Sequence, residues 1–216
     1  MRRAAFALAV LAGGSAQAAT ISVHEAGPHD RPLIVVRGTF ATGDGERFFA
    51  KIAPLSTAIV RLEGSGGSVL AGIQIGETIR LKNMDTLVAA GARCASACAL
   101  AWLGGSQRFM GPGARIGVHS AADPKSGGVS GVGNALLGAY LNRLGLSYSA
   151  VVYVVQAPPD SVMWLSIADA KRLGIDVTRL SSTGEQFASP GMRVGAHSAR
   201  SPSRRQQLGQ PAPGTR

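Results

Sequence analysis

The sequence predicts an α/β fold in which a mainly parallel sheet is flanked by helices. Short runs of β-branched and apolar residues alternate along the chain with segments whose apolar residues recur at helical spacing. Such alternation favours parallel strands joined by right-handed crossovers. Glycine makes up 29 of the 216 residues and only 16% of the residues are charged, which indicates a tightly turned, closely packed backbone and excludes a coiled coil.

Each predicted element rests on its local pattern. Apolar, β-branched runs predict strands at 33–38, 57–62, 86–90, 115–119 and 175–180, with a further short piece at 107–110. Apolar residues at helical spacing predict helices at 44–55, 69–81, 94–102, 135–144, 149–155 and 167–173, the last of them capped by Gly174. A tight turn is predicted at 64–67, and a glycine-rich stretch occupies 126–133.

The two ends of the chain differ in composition from its middle. Residues 1–18 combine a basic start, an apolar run and a small-x-small end, which predicts a secretory signal cleaved after Ala18; the alternative is an uncleaved anchor. The apolar run is shorter than the roughly 20 residues that span a bilayer, so we expect no stable membrane span after cleavage. Residues 19–185 form the predicted domain, and 186–216 form a basic tail, rich in Ser, Pro and Gln, that is expected to be disordered.

The formal charge of +10 suggests a nucleic-acid or anionic-membrane partner at first sight. However, residues 1–18 hold two of the 22 Lys and Arg residues and 191–216 hold five, whereas all 12 acidic residues lie between these ends. The predicted domain is therefore nearly neutral, and no nucleic-acid partner is expected.

Only two cysteines occur, Cys94 and Cys98. An exported chain enters an oxidising compartment, so a disulfide is favoured over a free thiol pair. A metal site would need another Cys, His or carboxylate close by, and 91–105 contains none. No metal or other cofactor is therefore expected.

Two loops that follow predicted strands carry the candidate chemistry. In 64–68, adjacent glycines can turn N–H groups towards developing negative charge, although a plain tight turn is the alternative. Ser96 lies at a strand-to-helix junction and is either an N-cap or a nucleophile. His119 ends a strand and is the one histidine of four in the predicted core; it is either the base for Ser96 or a structural histidine.

A carboxylate is expected to orient the imidazole and to stabilise the imidazolium. The candidates are Asp123, Asp160, Asp169 and Asp176. Asp160 is favoured because it ends an irregular loop before the last helix and so can reach the strand ends, the alternative being an exposed loop carboxylate. Asp123 precedes Pro124, which points to turn formation.

The order of these motifs resembles the proteolytic subunit of Clp protease, within the wider ClpP/crotonase fold of repeated β-β-α units. The resemblance covers about residues 57–180 and is carried by SGGSVLAG at 65–72, ASA at 95–97, RIGVH at 115–119 and WLSIADAKRLGI at 164–175. Among Clp relatives, the chain is most similar to exported bacterial proteins that carry a Cys-x-Ser-x-Cys motif.

The resemblance implies an exported serine peptidase, periplasmic or secreted, that acts on peptides or unfolded proteins without ATP. It implies these roles: nucleophile Ser96, general base and acid His119, orienting carboxylate Asp160, and oxyanion-hole N–H groups at Gly67 or Ser68 and at Ala97.

Segment 126–155 is shorter than the Clp handle, so the Clp double ring is not expected, while another homo-oligomer stays open. The alternatives are a non-catalytic peptide-binding scaffold and, less favoured in an exported chain, a crotonase-type acyl-thioester enzyme.

Overall fold

A computed structural model describes residues 18–181, except residue 26 and residues 28–29. The strands in this part of the chain are β1 (Thr20–His24), β2 (Leu33–Phe40), β3 (Ile59–Gly67), β4 (Asp85–Val88), β5 (Arg93–Ala95), β6 (Arg108–Met110), β7 (Arg115–Val118), β8 (Met163–Leu165) and β9 (Thr178–Arg179). The helices are α1 (Asp44–Ile52), α2 (Val69–Leu81), α3 (Ala97–Leu103), α4 (Gly131–Arg143), α5 (Tyr148–Gln156) and α6 (Ile167–Leu173). The predicted tail and all of the predicted signal except Ala18 lie outside the described residues.

The sheet is mainly parallel and divides at β3. The first part of β3 pairs with β4, whereas Gly64 near its end pairs with Cys94 of β5. From β3 the strand order runs through β4 and β6 to β9 on one side and through β5 and β7 to β8 on the other, while β2 also pairs with β3. Among the described strands, only β1 with β2 and β7 with β8 are antiparallel. The predicted α/β class with a mainly parallel, helix-flanked sheet is confirmed.

The main apolar core lies between the sheet and the helices. α3 is buried along its whole length, because its small Ala residues let α2 and the strands pack around it. The hydroxyl of the buried Tyr140 in α4 donates a hydrogen bond to the Leu100 carbonyl oxygen at 2.8 Å, which satisfies a polar group inside the core. This packing fixes the helices relative to the strand ends that carry the candidate site.

Most of the predicted elements are confirmed close to their predicted bounds. α2 and α6 have the predicted residues, and Gly174 ends α6 in a left-handed conformation with φ 72°. The strand predicted at 175–180 is shorter in the structure, where only the two residues of β9 pair as a strand. The sequence patterns did not predict β1 or β8, which lie antiparallel at the margins of the sheet, where pairing depends on a distant strand rather than on local pattern.

Three local predictions are corrected. The tight turn at 64–67 is wrong, because these residues end β3 and pair with β2 as far as Gly67. The helix predicted from residue 94 starts at Ala97, since 93–95 pairs with β7 as a strand. α4 begins four residues earlier than predicted, because the Ser130 side chain caps it by accepting a hydrogen bond from the Gly133 N–H.

Cys94 and Cys98 form the expected disulfide. Their Cα atoms are 5.1 Å apart and both residues are buried. The bridge joins β5 to the first turn of α3 and so encloses Ser96 within a short covalent loop. Among the described residues, none of the helices is long and apolar enough to cross a membrane.

Candidate active site

Three neighbouring parallel strands, β3, β5 and β7, end at the candidate site. Gly64 lies beside Cys94 in register, and Cys94 lies beside Ile116. Ser96 and His119 therefore follow the carboxyl ends of adjacent strands at the same edge of the sheet. Ligands of open α/β sheets gather at this edge.

Ser96 connects β5 to α3 in an unusual backbone conformation, with φ 56° and ψ −127°. Residues other than glycine rarely adopt a positive φ, and such strain clusters at functional sites. The Ser96 N–H donates to the Gly117 carbonyl at 2.8 Å, and the Ser96 carbonyl accepts from the Leu100 N–H at 3.1 Å. The side chain makes no capping hydrogen bond to α3. The N-cap alternative therefore does not account for this hydroxyl.

The protonation of the half-buried His119 ring follows from its contacts. Nδ1 lies 2.7 Å from the carbonyl oxygen of Ser120. Because a carbonyl oxygen can only accept, Nδ1 must carry the hydrogen and donate it, which leaves Nε2 of the neutral ring unprotonated. A general base for a serine hydroxyl needs this tautomer.

Asn134 is hydrogen-bonded to the same peptide group as the His119 ring. The Ala121 N–H donates to Asn134 Oδ1 at 2.7 Å, while the Ser120 carbonyl of the same peptide accepts from His119. The C=O and N–H of a trans peptide point in opposite directions, so the three groups form one chain of hydrogen bonds. Sequence reasoning missed Asn134, because its partner is a main-chain N–H and no residue pattern marks such a contact.

Ser96 and His119 line one cavity of about 800 Å³. Part of its wall is apolar and exposed, and is formed by Leu70, Val132 and Leu136. None of the described residues that line it is Asp, Glu, Lys or Arg. Within the described part of the chain, no three His, Cys, Asp or Glu side chains cluster closely enough to hold a metal ion.

Ser96 and His119 line the same cavity, and no direct hydrogen bond joins their side chains among the contacts of the described residues. Hydrogen bonds between catalytic groups are often long in enzymes without substrate and tighten when it binds. A substrate placed in the cavity would reach both groups.

The main-chain N–H groups predicted for the oxyanion hole are not equally available. The Ser68 N–H already donates to the Phe40 carbonyl at 2.8 Å, so it is occupied. Gly67 lines the cavity beside Ser96. Ala97 is the first residue of α3, a position whose N–H has no partner inside a helix. Gly67 and Ala97 are therefore the remaining candidate donors.

No candidate carboxylate is found among the residues that line the cavity. Asp160 lies in an exposed turn after α5 and outside the cavity. The Nδ1 atom, to which a triad carboxylate would bond, is occupied by the Ser120 carbonyl. The Arg172 guanidinium and the Ser166 hydroxyl bind the half-buried Asp169 and lower the pKa of its carboxyl group.

Asp123 has the turn-forming role predicted for it. Its carboxylate accepts hydrogen bonds from the Ser126 N–H at 2.9 Å, the Lys125 N–H at 3.0 Å and the Ser126 hydroxyl at 3.1 Å. These bonds lower the pKa of the carboxyl group, the Ser126 N–H contributing most. Asp176, the last candidate, is exposed beyond α6 and also lies outside the cavity.

Comparison with known proteins identifies the architecture. No family model and no curated protein matches the sequence. Among solved structures, a mutant of ClpP1 from Listeria monocytogenes matches with a TM-score of 0.51 and 19% identity, over 71% of this chain and 94% of that chain. The chain has the ClpP-like fold. This confirms the fold that the motif resemblance implied.

Two further structures support the ClpP-like assignment. Unmutated ClpP1 from the same organism matches with a TM-score of 0.50 and 21% identity, over 70% of this chain and 93% of that chain. A mutant of the 1510-N membrane-bound stomatin-specific protease, in complex with a substrate peptide, also matches. Its TM-score is 0.50 and its identity 19%, over 70% of this chain and 76% of that chain. The structural neighbours of this ClpP-like chain are thus proteases, and the similarity at these identities concerns the fold.

Proposed function

We propose that this protein is an exported serine peptidase that hydrolyses peptide bonds through Ser96 and His119, without ATP. The observation that carries the proposal is that two side chains line one cavity. Ser96 has a strained backbone and makes no capping hydrogen bond, and His119 is hydrogen-bonded through Nδ1, which leaves Nε2 available as a base. The buried disulfide supports export, because such bonds persist in oxidising compartments. Residues 1–18 supply the proposed signal.

The proposed reaction is acyl transfer through an acyl-enzyme. Ser96 Oγ attacks the substrate carbonyl carbon while His119 Nε2 takes the hydroxyl proton, and the oxyanion accepts hydrogen bonds from Gly67 and Ala97. Each aligned donor contributes about 3 kcal/mol to the transition state. His119 then gives its proton to the leaving amine, an ester remains on Ser96, and a water activated by His119 hydrolyses that ester.

In this proposal the Ser120–Ala121 peptide and Asn134 orient the imidazole. Asp160 is exposed and outside the cavity, so the predicted triad role of this carboxylate finds no supporting contact. None of the described residues that line the cavity is Asp, Glu, Lys or Arg, and part of its wall is apolar, which suits uncharged segments of peptides or unfolded proteins.

A fluorophosphonate probe, which phosphonylates activated serines with loss of fluoride, tests the proposal. Ser96→Ala and His119→Ala should both abolish labelling of the folded, oxidised protein. Ser161→Ala and His24→Ala are the matched controls, since Ser161 is exposed and both residues lie outside the cavity. Absence of labelling in the well-folded wild type would instead favour a non-catalytic peptide-binding scaffold.

A further inference from the structure

The main-chain nitrogen of Ala19 lies in a buried polar site. Ala19 is 1% exposed, and its nitrogen donates to Asp44 Oδ2 at 3.0 Å. Asp44, the first residue of α1, is itself 0% exposed. Ala18, by contrast, is exposed. The chain therefore enters the protein interior between Ala18 and Ala19, directly opposite a buried carboxylate.

The Asp44 carboxylate is fully engaged. Oδ2 also accepts from the Ala41 N–H at 2.8 Å, and Oδ1 pairs with the Arg47 guanidinium. A second guanidinium nitrogen of Arg47 donates to the Ala19 carbonyl at 3.2 Å. The side chain of Arg47 is half exposed, so much of its charge is solvated, whereas the Ala19 nitrogen is buried against the carboxylate.

This contact coincides with the cleavage position that the sequence predicts on unrelated grounds. The Ala16-Gln17-Ala18 pattern marks the bond between Ala18 and Ala19 as the scissile one. Hydrolysis of that bond by a signal peptidase consumes one water and leaves a carboxylate on Ala18 and an α-amino group on Ala19. At neutral pH this amino group takes up a proton and becomes an ammonium.

We propose that the mature chain begins at Ala19 and that its α-ammonium group forms a buried ion pair with Asp44. Removal of residues 1–18 thus replaces a neutral N–H donor by a charged one at a site already built to receive it. The carboxylate already accepts a hydrogen bond from this nitrogen, and cleavage adds a positive charge to the donor. The added attraction between opposite charges makes the cleaved form the more stable one.

The ion pair stabilises a segment that reaches the candidate active site. Asp44 also binds the main chain at Ala41, the Phe40 carbonyl holds the Ser68 N–H, and Thr42 lines the cavity. Signal cleavage is therefore expected to stabilise one rim of the cavity, in addition to releasing the protein. This inference does not depend on peptidase activity.

The test begins with the exported protein, whose intact mass should correspond to a chain that starts at Ala19. Two otherwise identical chains, one starting at Ala19 and one at Ala18, are then compared by urea unfolding. The extra residue moves the charge into solvent and restores the peptide N–H. We expect the unfolding equilibrium constant of the Ala18 form to be larger by roughly tenfold to a hundredfold at neutral pH.

The pH dependence and Asp44→Asn separate the ion pair from other effects of chain length. Pairing with a carboxylate raises the folded-state pKa of an amino group. The stabilisation should therefore be complete below the unfolded pKa of about 8 and should vanish as the pH rises through the folded value. Asp44→Asn should remove the difference between the two chains, while Asp160→Asn, at an exposed carboxylate, should preserve it.

Three results would overturn the inference. These are a mature chain that starts elsewhere, equal stability of the two chains at neutral pH, or a difference that persists unchanged at high pH or in Asp44→Asn. If Asp44→Asn does not fold, the pH dependence of the two native-sequence chains still decides.

Discussion

Gly66 lies directly against the candidate nucleophile. A Cβ atom added at position 66 would lie 2.5 Å from the Cβ of Ser96 and 2.8 Å from the Ala95 carbonyl oxygen. Gly66 also has φ +106°, a conformation that side-chain-bearing residues rarely adopt. The end of β3 and the turn at Ser96 therefore require a glycine where they touch.

Gly66→Ala should slow phosphonylation of Ser96 by about 100-fold or more, because the added methyl displaces the turn and a shift of 1 Å at a reacting group has effects of this size. The rate of reaction with a fluorophosphonate measures the effect. Gly91→Ala is the matched control: it also imposes a side chain on a positive φ, of +67°, but meets nothing within 4 Å and lies outside the cavity. Equal rates in the two variants would contradict the close contact.

Asn134→Ala should lower the rate of Ser96 phosphonylation by a fluorophosphonate by about tenfold, because the peptide that orients His119 loses its partner. Asn134→Asp keeps the accepting oxygen and adds a negative charge, so it should retain activity and move the acid limb of the pH–rate profile to higher pH. A purely structural role for Asn134 predicts no such movement of the limb. Asn142→Ala, an exposed position on the same helix, is the control.

Asp160→Asn distinguishes orientation of His119 by the Ser120–Ala121 peptide from orientation by the Asp160 carboxylate. In a Ser-His-Asp enzyme the corresponding change lowers kcat by about 10⁴-fold. Since the carboxylate is exposed and outside the cavity, we expect a rate of Ser96 phosphonylation by a fluorophosphonate within about twofold of wild type. A loss approaching the triad value would restore Asp160 to the role that the sequence predicted.

The fold and the placement of Ser96 and His119 at one edge of the sheet were predictable because their signals are local. Apolar periodicity gives α2 and α6, and the position of His119 after a strand places it at the same sheet edge as Ser96. The conformations at Gly66 and Gly67 were not predictable, because they arise where β3 pairs with β2 rather than from a turn sequence. Contacts such as Asn134 with Ala121 depend on tertiary placement alone.

Replacement of both cysteines by alanine should destabilise the protein by about 2 kcal/mol, the value expected from loop entropy for a bridge that closes a five-residue loop. Phosphonylation of Ser96 should slow as well, since the positive φ of Ser96 loses its covalent constraint. Urea unfolding measures the first effect and fluorophosphonate kinetics the second. Alanine is chosen because both sites are buried and a serine hydroxyl would lack a partner there. An unchanged rate of phosphonylation in the folded double variant would limit the bridge to a role in stability.

Acidification should loosen the turn around Asp123. The hydrogen bonds from Ser126 and Lys125 lower the pKa of this carboxyl group, so their stabilisation is complete above the unfolded value of about 3.9. It is lost as the pH falls through the lower, folded value. A carboxyl ¹³C titration by NMR should give a pKa for Asp123 below that of an unfolded aspartate. Ser126→Ala, which removes one of the three bonds, should raise it towards the ordinary value.

The location of the covalent adduct tests the proposed chemistry most directly. After reaction with a fluorophosphonate, reduction, alkylation and cleavage at Arg93 and Arg108 release a peptide spanning 94–108, which contains both Ser96 and Ser106. Fragmentation of this peptide should place one adduct on Ser96, and His119→Ala should abolish it. An adduct on Ser106, or no adduct on folded and oxidised protein, would contradict the proposal that Ser96 is the nucleophile.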